Sequence, residues 1–402
     1  MDTGVLIQGW PLLIGWGAHV VLAALLRTRQ FALASGIFLA IALLVWAGLT
    51  RSLDRHWLIP MRVFGWISIL HFAMLIRPRM RPGWYRALIS LPGLWFMGGT
   101  WLAFPWAIVG AFGLYPYGWQ IPYLLVALGL LGSLRNRREL VHLDLDGEDI
   151  GELARLSPAP AGSGDHLEII QITDPHLGPF MSERRLHAIC ERAVERAPDI
   201  VAITGDLLTM ESQGDPKVLE RALAPLSALD RRVFACFGNH DHEARDTVET
   251  ALASLGIELL VDAMTVAETR LGPIEIIGSD FHWRNRAEKL AALFDGLGPH
   301  NGNPRLLLLH DPGAFWHVPD GAADLTLSGH THGGQLGLVS LGLSWTIVSA
   351  TSKVPDHGLW GHGRKRLYVH RGTGHYGFPV RLGVPGEESL IRVRFSTRSS
   401  DQ

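Results

Sequence analysis

The stretch LEIIQITDPH, residues 167–176, is a short, largely apolar run that stops at an aspartate, a proline and a histidine. A run this short and rich in isoleucine reads as a buried strand. Residues two apart in extended chain project to the same side, so Asp174 and His176 can act together at its end. The same grammar recurs downstream. DIVAIT (199–204) gives way to Gly205-Asp206, and RVFACF (232–237) to Gly238-Asn239-His240-Asp241. RLLLL (305–309) ends at His310, and DLTLS (324–328) at Gly329-His330-Thr331-His332.

Helical patterns lie between the first of these runs, through SERRLHAICERAVERA (182–197) and PKVLERALAPLSAL (216–229). The order βαβαβ predicts a sheet of parallel strands covered by helices. Later runs, IEIIGS, RLYVH and SLIRVRF among them, have fewer helices between them and predict a second sheet. In open α/β sheets, ligand crevices form at the carboxyl ends of strands. Five runs here deliver carboxylate, imidazole and amide groups to that edge, and the intervening glycines allow tight turns and close backbone approach. This donor set suits Mn²⁺, Fe or Zn²⁺, whereas an all-oxygen set suits Mg²⁺ or Ca²⁺. No thiolate is offered, which argues against a structural zinc site.

The first 138 residues are different in kind. They hold 12 arginines, no lysine and two aspartates, so an overall charge of −2 conceals a basic front and a back near −12. Phosphate backbones are held by clustered Lys and Arg, so the acidic back disfavours nucleic acid as a partner. Five apolar blocks follow one another, at 5–26, 31–50, 57–76, 87–112 and 118–134. About 20 apolar residues span the ~30 Å of bilayer hydrocarbon, and the blocks are read as five transmembrane helices, with four as the alternative. Ten of the 14 tryptophans, including Trp10, Trp57, Trp84 and Trp119, fall in this half, mostly near block ends, as an interfacial belt requires. With the N-terminus outside, Arg27, Arg29, Arg77, Arg79, Arg81, Arg86, Arg135, Arg137 and Arg138 lie on the cytoplasmic side, against Arg51, Arg55 and Arg62 outside. The expectation is an integral protein of the bacterial inner membrane with its soluble half in the cytoplasm. The acidic start MDTGV argues against a cleaved signal peptide. His19 and His71, the histidines deep within blocks, have no acidic companions and are read as bonded to neighbouring helices rather than as a relay. Residues 139–165, with DLDGED and SPAPAGSGD, read as a linker. A compact domain is expected over 166–396, followed by a tail at 397–402. Cys190 and Cys236 form no ligand pattern and are expected as reduced core residues.

The ordered set D-x-H, G-D, G-N-H-D, a single H, then G-H-x-H resembles the calcineurin-like metallophosphoesterase superfamily. The stretches GHTHGGQ (329–335) and YVHRGTGHYGFPVRLG (368–383) are similar to its membrane-associated YkuE/YaeI-like bacterial branch. The resemblance implies a four-layer αββα sandwich of two mixed sheets with a two-metal site. Carried onto this chain, Asp174, His176 and His332 would hold one metal, Asp206 would bridge, and Asn239, His310 and His330 would hold the other. His240 would act as general acid or phosphate clamp, oriented by Asp241. Two divalent ions bring +4 against two anionic ligands, an excess that favours an anionic substrate. Mn²⁺ is the favoured ion, with Fe, Zn²⁺ or Mg²⁺ as alternatives. Asp280 and His282 in GSDFHW, with Arg371 and Arg381, are further candidates for substrate binding, and His242 and Glu243 for supporting the ligands from behind.

The whole then reads as a polytopic helical membrane domain followed by a metallophosphoesterase domain. The expected reaction is hydrolysis of a phosphodiester, phosphomonoester or pyrophosphate of a lipid-linked substrate by a metal-bound hydroxide, with membrane lipids as neighbours. Alternatives are a phosphodiesterase acting on a soluble nucleotide or phosphoprotein, and a membrane sensor or scaffold that binds a phosphorylated ligand without turnover.

Overall fold

The computed structural model describes residues 3–395 apart from Gly147, Ser163 and Pro299, with side chains described from residue 11 onward. The expected tail at 397–402 and the side chain of Trp10 lie outside the described residues.

Among the described residues, thirteen strands form two sheets. In chain order they are β1 (Asn136–Asp144), β2 (Ile150–Arg155), β3 (Leu167–Ile172), β4 (Ile200–Ile203), β5 (Val233–Ala235), β6 (Glu258–Leu259), β7 (Ala263–Thr269), β8 (Gly272–Gly278), β9 (Arg305–Leu308), β10 (Leu325–Ser328), β11 (Gly358–Gly363), β12 (Lys365–Val369) and β13 (Gly386–Arg394). One sheet runs β1-β13-β3-β4-β5-β6 and the other β2-β11-β12-β10-β9-β8-β7. β3, β4 and β5 are parallel, as the βαβαβ pattern requires. β8, β9, β10 and β12 are likewise parallel in the second sheet. SLIRVRF, grouped from sequence with the second sheet, instead returns as β13 beside β3, antiparallel to it.

The layers follow from burial on both faces. Every residue of β4 is buried, as expected of a central parallel strand. Its Val201 and Ile203 pack with Leu186, Cys190 and Leu223 of the covering helices, whereas Ile200 and Ala202 face Leu306, Leu308 and Leu327 of the other sheet. A further cluster, Leu290, Phe294, Phe315 and Leu367, covers the second sheet's far side. The result is α, β, β, α. Both cysteines are buried and free.

Residues 139–165 do not form a simple linker. Val141 and Leu143 point inward, and the segment 136–144 pairs with β13 while 150–155 pairs with β11. In the first segment an alternating apolar pattern inside ELVHLDL outweighs the Asp and Glu around it, and the two segments give each sheet an edge strand.

The apolar half is helical. α1 (Thr3–Leu26), α2 (Arg29–Thr50) and α3 (Arg55–Met74) pack on one another, with His19 bonded to Ser35 at 2.8 Å. Of the described residues, α2 and α3 are single helices long and apolar enough to cross a bilayer. The expected span 87–112 is instead a pair, Gly83–Leu102 and Phe104–Ala111, bent by 61°. Pro105 opens the second helix of that pair, where it cannot continue the hydrogen-bond ladder of the first. The last block yields the 13-residue helix Ile121–Ser133, about 20 Å long at ~1.5 Å per residue, which is short of the hydrocarbon thickness. Outward faces are apolar: Leu25, Leu44, Ile59 and Leu124 are between 63% and 75% exposed.

These helices are seated on the α/β half. A Cβ placed on Gly132 would lie 2.2 Å from the Arg381 carbonyl oxygen, and one on Gly129 would lie 2.4 Å from that of Pro379. Substituting Gly132→Val should therefore lower the unfolding temperature by the equivalent of about 1–3 kcal/mol, measured on the purified full chain. Gly17→Ala, where nothing lies within 4 Å, should not lower it.

Candidate metal centre

The carboxyl ends of β3, β4, β5, β9 and β10 meet where the two sheets face each other. Asp174 and His176 follow β3, Asp206 follows β4, Asn239 and His240 follow β5, His310 follows β9, and His330 and His332 follow β10. Five of these have left-handed backbone: Asp174 (φ 50°), His176 (46°), Asp206 (58°), His330 (67°) and His332 (50°). Such conformations cost of order 1–3 kcal/mol for residues with a Cβ and persist where surrounding structure imposes them. Close packing supplies that imposition. At Gly329 a Cβ would lie 2.2 Å from both Asp174 Oδ2 and Thr173 Oγ1, and at Gly238 it would lie 2.2 Å from Asp206 Oδ1.

Two triads result, each with its ligand atoms within 4.8 Å of one another: Asp174, His176 and His332, and Asp206, His310 and His330. Asp206 touches both. Its Oδ2 lies 3.4 Å from His310 Nε2 and 3.5 Å from His176 Nε2, while its Oδ1 accepts the backbone N–H of His240 at 2.8 Å. Asn239 Oδ1 is buried without a hydrogen-bond partner. An orphaned amide oxygen beside two buried carboxylates and four imidazoles is a donor set that divalent cations fit. His310 is held in place by a 2.6 Å contact from Nδ1 to the Thr204 carbonyl, the kind of support that orients metal-binding imidazoles.

Electrostatics agree with the geometry. Burial raises the Asp174 carboxyl to about 6, and the charge of Asp206 adds to that. Burial works against a charged His310, yet Asp206 beside it pushes the ring up to about 10. Burial lowers His176 to about 3 and His330 to about 4. Protons thus stand where cations would balance the carboxylates.

His240 sits beside these groups and is partnered by Glu243, whose Oε1 lies 2.9 Å from its Nδ1. Burial disfavours the charged ring, but Glu243 and Asp206 outweigh it and raise its pKa. Asp241, expected to orient His240, does something else. Its carboxylate accepts the backbone N–H groups of Asp206 (2.7 Å), Leu207 (2.8 Å) and Gly238 (2.9 Å), clamping the ends of β4 and β5 together. A short side chain directly after His240 is turned into the protein, and the residue one helical turn on reaches the ring. Glu243 is tied further back: Gln213 Nε2 donates to its Oε2 at 2.6 Å, and Arg27 at the end of α1 donates to Gln213 Oε1 at 3.2 Å. Nothing in the sequence points to Gln213 or Arg27. Tyr376 was also unforeseen; its ring stacks on His176 with centroids 4.8 Å apart and lies 4.5 Å from that of His240.

The four substrate-binding candidates are engaged with protein groups. Asp280 lies 2.9 Å from His242 Nε2, and His282 lies 3.1 Å from Asp262; Phe281 between them packs near His310 and His330. Arg371 pairs with Glu139 at 2.6 Å and Glu387 at 3.2 Å. Arg381 donates to the carbonyls of Arg371 and Gly374 and lies 3.3 Å from His332 Nδ1, behind the centre. The two arginines therefore brace the loop after β12.

Comparison with known proteins is consistent with this arrangement. Residues 167–334 match the calcineurin-like phosphoesterase family. Phosphodiesterase YaeI of Escherichia coli (strain K12) is 29% identical over 230 residues, 56% of this chain and 82% of YaeI. The uncharacterized metallophosphoesterase YkuE of Bacillus subtilis (strain 168) is 27% identical over 246 residues, 57% of this chain and 80% of YkuE. A transmembrane protein with metallophosphoesterase domain from Bos taurus is 28% identical over 245 residues, which are 56% of this chain but only 52% of that protein. Together with the strand-end constellation, these matches show a calcineurin-like metallophosphoesterase domain over residues 167–334.

Proposed function

We propose that the chain is a membrane-anchored phosphoesterase that uses two divalent metals to hydrolyse a phosphoester or pyrophosphate bond of a lipid-linked substrate. The observation that carries this reading is Asp206, whose Oδ2 lies within 3.5 Å of a histidine from each triad. Asp174, His176 and His332 would hold one ion, His310, His330 and Asn239 the other, and Asp206 would reach both. Bound there, Mn²⁺ or a similar ion would supply Lewis acidity and lower the pKa of water. The protein's own residues do the rest. His240, presented at the edge of the centre and kept basic by Glu243, would donate a proton to the leaving oxygen, a contribution typically worth ~10²–10⁴-fold. Asp241 would keep the Asp206 turn in register with Asn239.

The apolar outward faces support membrane anchoring, since exposed leucines in such number are costly in water. Arg27, Arg81 and Arg86 meet Gln213, Glu211 and Pro179 of the catalytic half. The arginine-rich helix ends are thus those nearest the catalytic domain, and the positive-inside bias favours a cytoplasmic site on the bacterial inner membrane. Anchoring beside a bilayer favours a lipid-linked phosphate over a soluble nucleotide.

Purified full chain supplied with Mn²⁺ should hydrolyse bis(4-nitrophenyl) phosphate. His240→Ala should lose at least about 10²-fold in kcat while retaining bound metal by elemental analysis. Equal turnover by both would remove His240 from the chemistry. Glu243→Gln should lower kcat about 10–100-fold with unchanged melting temperature. Asp241→Ala, which strips three buried N–H groups of their acceptor, should instead lower the melting temperature markedly, checked by calorimetry. Cells lacking the protein, or carrying Asp206→Asn, should accumulate the same phosphorylated lipid in untargeted lipid analysis.

A further inference from the structure

Between the helices and the catalytic loops lies a cavity of about 320 Å³, within the range of ligand pockets. One wall belongs to the helical half and is mainly apolar, with Phe31, Ala34 and Phe38 of α2, Phe72 of α3, Leu75 and Leu94, and it also carries Ser35 and His71. The opposite wall is made by three loops of the catalytic half. Pro179 and Phe180 follow the His176 turn, residues 209–211 follow the Asp206 turn, and residues 375–378 precede Arg381. The cavity is therefore built from the segments that extend two of the metal-ligand turns. Tyr376 lines the cavity and also borders the centre, its ring centroid 4.8 Å from that of His176 and 4.5 Å from that of His240.

Water is a poor occupant of a chamber lined by phenylalanine and leucine. Two polar atoms nevertheless border it without partners. Glu211 is 2% exposed, its Oε1 accepts the Arg81 backbone N–H at 3.1 Å, and its Oε2 is buried and unpaired. His375 Nδ1 is buried and unpaired as well. An apolar chamber with a few unpaired polar atoms on the side nearer the catalytic loops fits an amphiphile. Its hydrocarbon part contacts the helices and its hydroxyl groups donate to Glu211 Oε2 and His375 Nδ1, both of them acceptors. Two further observations name the hydrocarbon. α2 and α3, which supply the aromatic wall, are the helices long and apolar enough to cross a bilayer, and Ala34 and Gly377 at the rim are exposed.

We propose that this cavity seats the hydrocarbon chain of the phosphoester substrate, so that chain length, read between α2, α3 and the 375–378 loop, selects the substrate. This deepens the phosphoesterase reading and rests on it for the reaction at the head group. Tyr376 is the floor of the tail site and the wall of the metal site, which places the scissile phosphate at the polar end of the chain. The occupant is the substrate's own tail rather than a resident membrane lipid, because a lipid held there independently would leave no room for the chain attached to a phosphate at the centre.

The test uses the full chain in nanodiscs with Mn²⁺ and two esters that share a leaving group, hexadecyl 4-nitrophenyl phosphate and ethyl 4-nitrophenyl phosphate. The hexadecyl ester should be preferred in kcat/KM by at least about tenfold, given that one methylene in an apolar pocket is already worth ~10-fold or more. Ala34→Trp, which fills the chamber, should reduce that preference at least about fivefold. Leu44→Trp, on the outward face of the same helix and 72% exposed, should keep the wild-type ratio. Native mass spectrometry with hexadecyl phosphate gives a readout without turnover: wild type retains it and Ala34→Trp does not. Equal kcat/KM for the two esters in wild type, or an unchanged ratio in Ala34→Trp, overturns the tail site while leaving the phosphoesterase reading intact. Retention of hexadecyl phosphate without hydrolysis of either ester would do the reverse.

Discussion

Two buried carboxylates side by side at the carboxyl edge of one sheet are the constraint on which the rest of this fold depends. Asp174 and Asp206 sit at the ends of adjacent parallel strands, both almost fully removed from water, and their repulsion must be answered by positive charge. The chain answers it in part with the His310 ring, brought from the other sheet together with His330 and His332 and held protonated beside Asp206. Bringing them so close requires backbone that residues with a Cβ rarely adopt and glycines where any side chain would collide with a ligand. The strain at the turns and the emptiness at Gly238 and Gly329 are two sides of one arrangement. Cations at this point would relieve the repulsion that the fold maintains.

The helical half participates in that arrangement. Arg27 at the end of α1 reaches Gln213, Gln213 holds Glu243, and Glu243 holds His240. On another side the loop carrying Tyr376 is laid against the helices, with Phe378 stacked on Phe38 at 5.1 Å and the backbone of 379–381 seated on glycines of Ile121–Ser133. Both groups that flank the two triads, the imidazole of His240 and the ring of Tyr376, are thus positioned from the apolar side of the molecule.

Much of this was legible in the chain. Apolar runs ending in Asp, His, Asn and Gly announced β3, β4, β5, β9 and β10 and the polar groups gathered at their ends, because a buried parallel strand and a strand-end donor each leave a strong local mark. What could not be read was set by contacts between distant residues. Asp241 and Glu243 are both acidic and both near His240, and only the short turn after Asn239 decides which one faces the ring. Arg371 and Arg381 were candidates for phosphate, and the pairing of Arg371 with Glu139, 232 positions away, could not be read locally. The helices proved harder still. Hydropathy counts apolar residues but does not see the break at Ala103, where a proline two residues later ends one helical ladder and bends the next.

The strands made from residues 136–155 border both sheets, β1 against β13 and β2 against β11. A soluble fragment started at residue 166 would strip away both borders at once and leave two rows of unpaired backbone groups open to neighbouring molecules. Such a fragment would tend to self-associate through its uncovered flanks even with every ligand residue in place. A faithful excised version of the catalytic half has to begin upstream of Asn136, close to where the last apolar helix ends.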